Sequence, residues 1–270
     1  MAQQQLAFIG GGNMAGAIFG GLVRGGWPAP AITVVEPGAE QRQRIATAWP
    51  GVQLLGAADR SLATADIVVW AVKPQSFAEA APACAAFVGR ALQLSVMAGI
   101  RSDALVAATG SPRVVRAMPN TPALIGQGIA GLFARPEVSA ADRAAVEAVL
   151  APTGQRLWFD REEQLDAVTA LSASGPAYVF YFIEAMMDAA QHMGLTREQG
   201  RTLAQATFAG AAALAAQSDE PPSVLRERVT SKGGTTYAAL ESMRKDGVAD
   251  AIVRALRAAE QRARELGRSA

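Results

Sequence analysis

Short apolar runs of strand length alternate with amphipathic stretches through roughly the first 160 residues. The runs fall at 6–9, 32–35, 52–55, 66–72, 92–97 and 114–117. From Ile67 to Val72 the fourth is apolar without interruption, as a strand covered on both faces requires. After the first run, Ala17, Ile18, Leu22 and Val23 recur at helical spacing. Ser102, ahead of Asp103-Ala104-Leu105-Val106, predicts a helix cap between the fifth and sixth strands. This alternation predicts a parallel, doubly wound sheet. Two further runs, 128–133 and 156–159, flank a helix over about 139–150 and extend the sheet at its edge.

Past about residue 165 the strand signals stop. Helices are expected over 176–193, ended by Gly194, and over 197–217, opened by the capping box Thr196-x-x-Gln199. Pro221-Pro222 breaks the pattern, and helices near 224–229, 235–245 and 248–266 follow. Residues 1–164 are therefore expected to form the α/β domain and 165–270 an all-helical one, with no internal repeat and no low-complexity linker. Residues 167–183 carry no charge, and Tyr178 to Ile183 are apolar or aromatic all round. Such a helix is buried on every side. A central core helix would satisfy this, but a domain of about a hundred residues has difficulty enclosing one, so the favoured reading places it between two subunits.

Composition narrows the function classes. The chain has 270 residues, half of them hydrophobic, enough for one large core or two. A net charge of +1 gives no general attraction to nucleic acid or to an acidic membrane. Cys84 is the only cysteine, which excludes an intramolecular disulfide and a cysteine-built zinc site, and its apolar surroundings predict an inert buried thiol. No metal site is expected. The uncharged stretch 117–134 is long enough to span a bilayer but is broken by prolines and glycines. With the first strand beginning almost at residue 1, a signal peptide has no room, and a cytoplasmic protein is expected.

The chemistry begins at the first strand, which runs into Gly10-Gly11-Gly12-Asn13-Met14-Ala15. Strand, glycine turn and helix in that order are what a dinucleotide pyrophosphate requires, so the first domain is expected to be of Rossmann type. Gly10 makes the tight turn, Gly12 lets backbone approach the phosphates, and Ala15 keeps helix and strand close. The helix N-terminus turns its free N–H groups on the anion. The second strand ends at Glu36, where a ribose-binding carboxylate belongs. Three further loops have no packing explanation: Val72-Lys73-Pro74, Met118-Pro119-Asn120-Thr121-Pro122, and the turn from Val229 to Thr236. The first two lie at C-terminal ends of strands, and the third is a glycine-centred turn feeding a helix, rich in N–H groups and hydroxyls. Together they suggest a small carboxylate held beside a nicotinamide.

These segments, with Ser174-Gly175-Pro176-Ala177-Tyr178, resemble the ordered motif set of the pyrroline-5-carboxylate reductases over essentially the whole chain. The resemblance implies reduction of the cyclic imine 1-pyrroline-5-carboxylate to L-proline, the last step of proline biosynthesis, by hydride from NAD(P)H. It also implies a homodimer through the C-terminal helices, often built into larger rings. Ser231, Gly233, Gly234, Thr235 and Thr236 would take the substrate carboxylate, with the Thr236 hydroxyl closest to the ring nitrogen. Asn120 would serve both substrate and cofactor. The cofactor residues implied are Ile9, Gly10, Gly11, Gly12, Asn13, Met14, Ala15, Glu36, Ala58, Ala71, Val72, Lys73 and Pro74, with Lys73 and Thr236 assigned to the chemistry. Two departures stand out: Lys232 where many members carry Pro, and Ala58-Asp59 where many have Asn.

The residue inventory is consistent with an imine. A cyclic imine is protonated near neutral pH before attack, so strong acid catalysis is unnecessary, and positioning carries the reaction. The one histidine, His192, falls before Gly194 and reads as a capping or packing residue. The resemblance implies NADP(H), whereas Glu36 would accept from a ribose 2′-OH and repel a 2′-phosphate, favouring NAD(H); Arg42 and Arg44 follow closely. A β-hydroxyacid dehydrogenase would share the domain order but needs a lysine early in its helical domain. The lysines here are Lys73, Lys232 and Lys245. A non-catalytic nucleotide sensor of the same fold is the other alternative.

Overall fold

The computed structural model describes residues 4–268. Among them, β1 (Leu6–Ile9), β2 (Ile32–Val35), β3 (Gln53–Leu55), β4 (Ile67–Trp70), β5 (Leu92–Ser95), β6 (Val114–Met118), β7 (Gly128–Ala134) and β8 (Gly154–Phe159) form one sheet. Its order is β3-β2-β1-β4-β5-β6-β7-β8. The connecting helices are α1 (Asn13–Arg24), α2 (Ala39–Ala48), α3 (Phe77–Val88), α4 (Ser102–Thr109) and α5 (Ala140–Leu150), followed by the short α6 (Gln164–Val168). The first six strands are parallel, and β1 lies between β2 and β4. Sequence order reverses there, which opens a crevice beyond the C-terminal ends of β1 and β4.

The sheet is not parallel throughout. β7 runs antiparallel to β6, and β8 then pairs parallel to β7. The segment between β6 and β7 holds one 3-10 turn, Thr121–Ile125, and no crossover helix, so the chain has to turn back on itself. The sheet has a core layer on each side, and its edge strands β3 and β8 are partly exposed. Phe8, Ile18, Phe19, Val34 and Leu132 belong to one core layer, and Ile9, Trp70, Cys84, Leu105 and Val114 to the other. Phe8 and Phe19 meet edge to face at 5.4 Å, as do Trp70 and Phe77 at 5.5 Å.

The cap expected at Ser102 is a correction. Ser102 is the first residue inside α4, Arg101 takes the cap position, and no side chain caps the helix from there. Instead Glu162 accepts from the Ser102 N–H at 2.7 Å and from its hydroxyl at 2.6 Å. Glu162 also takes the Arg116 guanidinium at 2.8 Å, while Asp166 takes Arg101 at 2.6 Å. Burial pulls Arg116 below its ordinary pKa and Glu162 pulls the other way. The start of α6 is thus tied to β6 and α4 by paired charges.

The chain divides into two compact units, one reaching Ser174 and including the segment from Ala259 on, the other Gly175–Ala258. Residues 165–174 group with the sheet: α6 runs into a π-helical turn, Thr169–Ala173, Leu165 and Ala170 are buried, and Asn120 donates to the Ser172 carbonyl. The returning segment is the end of α11 (Val248–Arg268), after α7 (Gly175–His192), α8 (Arg197–Gln217), α9 (Pro222–Arg228) and α10 (Thr235–Lys245). There, a Cβ on Gly267 would meet the Arg101 Nε at 2.7 Å, so the guanidinium packs directly against the helix at that glycine.

In the second unit, α7 and α8 form a hairpin through Gly194, whose φ is +86°. Thr196 and Gln199 make the expected capping box. A Cβ on Gly200 would come within 2.8 Å of the Ala190 Cβ, so the two backbones approach closely. Within Gly175–Ala258 the buried residues are Met187, Ala190, Gly200 and Ala204. The burial expected around α7 is not supplied by this one chain: Phe180 is 59% exposed and Tyr181 72%.

Candidate functional site

The first unit holds a cleft of about 620 Å³ at the reversal point of the sheet. It is lined by Ile9, Gly10 and Gly12 from the first turn, Glu36 and Pro37 after β2, Gly56 to Ala58 after β3, and Ala71 to Lys73 after β4. The backbone explains the first of these. Gly10 has φ +97°, and a Cβ there would lie 2.9 Å from the Ala71 carbonyl oxygen, so only glycine lets the two strand ends meet. Gly12 is the cap residue of α1, provides no side-chain cap, and faces open space: a Cβ added there meets nothing within 4 Å. The N–H groups of Asn13, Met14 and Ala15 find no acceptor among the described residues. This is an anion seat built from backbone, and it fits a pyrophosphate.

Most of the expected cofactor residues therefore share one cleft. Gly11 and Asn13 line a second recess on the α2 side of the turn, with Gln41 and Arg44. Ala15 is fully buried and serves packing. Lys73 is exposed at the cleft wall, opens the turn Pro74–Ser76, and makes no ion pair with any described residue. Asp59, beside Ala58, is committed locally: its carboxylate accepts from the Ser61 N–H and hydroxyl, which hold it below the usual carboxylate range. Cys84 also lines the cleft, and burial pushes its thiol up to about 11.

Two residues are differently engaged from what their positions suggest. The Glu36 carboxylate accepts from the Gly11 N–H at 3.0 Å and the Gly38 N–H at 2.9 Å, bonds that no local sequence signal announces. The Asn120 amide bridges neighbouring elements, accepting from the Ile129 N–H at 3.0 Å and donating to the Ser172 carbonyl at 3.2 Å. It is outside the cleft lining and clamps the end of β6 to the start of β7 and to the π-helical turn.

The second unit carries the remaining expected residues on one turn. Gly233 has φ +75°, Gly234 caps α10 without a side-chain bond, and the Gly234 N–H donates to the Ser231 carbonyl. A Cβ on Gly234 would sit 2.6 Å from the Ser231 hydroxyl oxygen, so that hydroxyl lies against the helix entrance. The N–H groups of Thr235, Thr236 and Tyr237 have no acceptor among the described residues. Free N–H groups, with the hydroxyls of Ser231, Thr235 and Thr236 and with Lys232 on the same turn, give it anion-attracting character. Among the described residues no cluster of three His, Cys, Asp or Glu side chains could hold a metal, and no helix is long and apolar enough to cross a membrane.

Sheet order, glycine turn and cleft define the class: a Rossmann-type oxidoreductase fold with a helical second unit. Over 268 residues, covering 98% of each chain, the protein is 45% identical to a pyrroline-5-carboxylate reductase of Pseudomonas aeruginosa. The chain belongs to the pyrroline-5-carboxylate reductase family. The family described as pyrroline-5-carboxylate reductase dimerisation matches residues 162–266, and that described as NADP oxidoreductase, coenzyme F420-dependent, matches 5–99. Among solved structures, a pyrroline-5-carboxylate reductase of Coxiella burnetii superposes with a TM-score of 0.90 at 33% identity, covering 98% of each chain. A pyrroline carboxylate reductase of Plasmodium falciparum with NADP bound superposes at 0.87 and 27% identity, covering 99% of each.

Proposed function

We propose that the protein reduces 1-pyrroline-5-carboxylate to L-proline with NAD(P)H. The observation that carries this reading is the pairing, in one chain, of two uncapped helix entrances of different character. One, at Gly12, opens on a cleft and suits a dinucleotide; the other, at Gly234, is flanked by Ser231, Thr235 and Thr236 and suits a small carboxylate. Bound in the cleft, a reduced nicotinamide cofactor supplies the hydride. The protein's part is to bind and orient. Gly10 and Gly12 clear the backbone, the first turn of α1 holds the pyrophosphate, and Ala58, Ala71 and Val72 wall the cleft. NADP(H) is the cofactor assigned, with NAD(H) as the alternative.

On the substrate side, Ser231, Gly233, Gly234, Thr235 and Thr236 take the carboxylate. The Thr236 hydroxyl is assigned to the imine nitrogen, where it orients the ring and keeps the proton at that atom. Lys73 adds a cation at the cleft wall. Because the protonated imine is already electrophilic, placement accounts for the rate without a strong acid. Asn120 acts by fixing the loop after β6. Two chains associate through the helical unit, whose exposed Phe180 and Tyr181 a second copy would cover, and the compartment is the cytoplasm.

The test is consumption of NADPH or NADH at 340 nm with and without pyrroline-5-carboxylate, run beside 3-hydroxy acids in the oxidative direction. Turnover on the imine is expected and none on the hydroxy acids. Comparable turnover of a hydroxy acid, with none on the imine, would sink the reading. No lysine occupies 166–200, where a β-hydroxyacid dehydrogenase would need one.

A further inference from the structure

Glu36 sits where a ribose 2′-OH acceptor belongs, yet both its oxygens are already engaged by backbone. Oε2 accepts from the Gly11 N–H and Oε1 from the Gly38 N–H. A Cβ on Gly11 would lie 3.3 Å from the Glu36 Cβ, so the side chain is packed directly against the glycine turn. The other polar group of Gly11 is held as well, its carbonyl accepting from Gln41 Nε2 at 2.7 Å. The carboxylate and the amide together grip the Gly11 residue from the α2 side and fix the loop that the pyrophosphate must meet.

Arg42 is placed differently. Its Nη1 donates at 2.7 Å to the carbonyls of both Glu36 and Pro37, which pins the guanidinium across the end of β2. The same group borders Gly56, where a Cβ would come within 3.4 Å of Nη1 and 3.7 Å of Nη2. Glu36, Pro37 and Gly56 all line the cleft; Arg42 is not itself a lining residue, but its guanidinium borders all three at the ends of β2 and β3. Nη2 and Nε have no acceptor among the described residues. Arg44, by contrast, is paired with Glu40 at 2.6 Å and lines the recess on the other side of the turn.

We propose that Arg42 is the residue that selects the cofactor, pairing through Nη2 and Nε with the 2′-phosphate of NADP(H), and that Glu36 is a positioning residue for the glycine turn. This assignment rests on the cleft being the nucleotide site. A guanidinium held at one nitrogen keeps two N–H groups in fixed geometry for a phosphate, the arrangement in which arginine is strongest. NADH brings no dianion to that point and gains nothing comparable. The Glu36 carboxylate is engaged by two backbone N–H groups, which lower the cost of its charge beside the 2′ position.

The experiment measures kcat/KM for NADPH and NADH with pyrroline-5-carboxylate, and fluorescence titration of each nucleotide without it. It is run on the wild type, Arg42→Ala, Arg42→Lys and Glu36→Gln. In Arg42→Ala the NADPH-to-NADH ratio should fall about tenfold or more, the effect of losing a charge-assisted pair, and Arg42→Lys should recover part of it. In Glu36→Gln both nucleotides should weaken together, the ratio moving less than about twofold, since the loss falls on the shared pyrophosphate turn. Equal weakening of both nucleotides in Arg42→Ala would overturn the assignment, as would a large rise in the ratio in Glu36→Gln. A folded wild type that binds neither nucleotide would overturn the nucleotide reading of the cleft and this assignment with it.

Discussion

Thr236 is the second residue of α10, beside N–H groups that have no acceptor among the described residues. Thr236→Val keeps the shape and removes one hydroxyl, so kcat/KM should fall roughly tenfold, about the ~1.4 kcal/mol of one hydrogen bond. Nucleotide affinity, read by fluorescence titration, should hold; a variant that kept full kcat/KM would remove Thr236 from the chemistry. His192 is the control. It is exposed at the last position of α7, and His192→Gln should leave kcat within about twofold, far short of the loss that follows removal of a general acid. A folded but inactive His192→Gln enzyme would make the histidine catalytic. At this scale the sequence is legible where chemistry is local. Gly10 must be glycine because its own φ is positive, and the turn announces itself by spacing. The bond from Gly11 to Glu36 was not legible, because a carboxylate 25 residues from Gly11 in the chain reaches it only through tertiary structure.

Among the elements, α5 offers the clearest energetic test. Its capping box joins Ser139 and Asp142 reciprocally, and the Asp142 carboxylate also receives Arg113. Burial alone would raise the Asp142 pKa, but the bonds from Arg113 and Ser139 win and hold it below 3.8. A depressed folded-state pKa means stability that is present above the unfolded value and is lost as pH falls through the folded one. Asp142→Asn should therefore cost about 1–2 kcal/mol at pH 7, with the gap to wild type closing below the unfolded-state pKa. Urea melts at pH 7 and at acid pH read both; a gap independent of pH would show that the charge is idle. The cap at Thr196 was visible because donor and acceptor lie three residues apart. Ser102 misled for the opposite reason: the group that satisfies the start of α4 is Glu162, sixty residues later. The antiparallel β7 was equally hidden, since an apolar run carries no mark of direction and the short link after β6 decides it.

At the scale of the whole molecule, the second unit encloses four buried residues and leaves Phe180, Tyr181 and Leu214 exposed. Burying a large apolar side chain contributes roughly 1.5–3 kcal/mol, so a second copy has ample driving force to cover this face. Light scattering at micromolar concentration should give at least a dimer, and Phe180→Asp should lose assembly and activity together. A fully active monomer would refute the assembly while leaving the chemistry standing. The exposed apolar face of α7 was legible in an uncharged, all-round apolar stretch; that α11 begins in one unit and ends in the other was not. That last feature sets an order of events during synthesis. The ribosome delivers the strands long before residues 259–268, so the layer around Arg101 stays open while the helices between are made. The first unit to be translated is thus the last to be finished, and its closing contact waits on the far end of a helix that starts elsewhere.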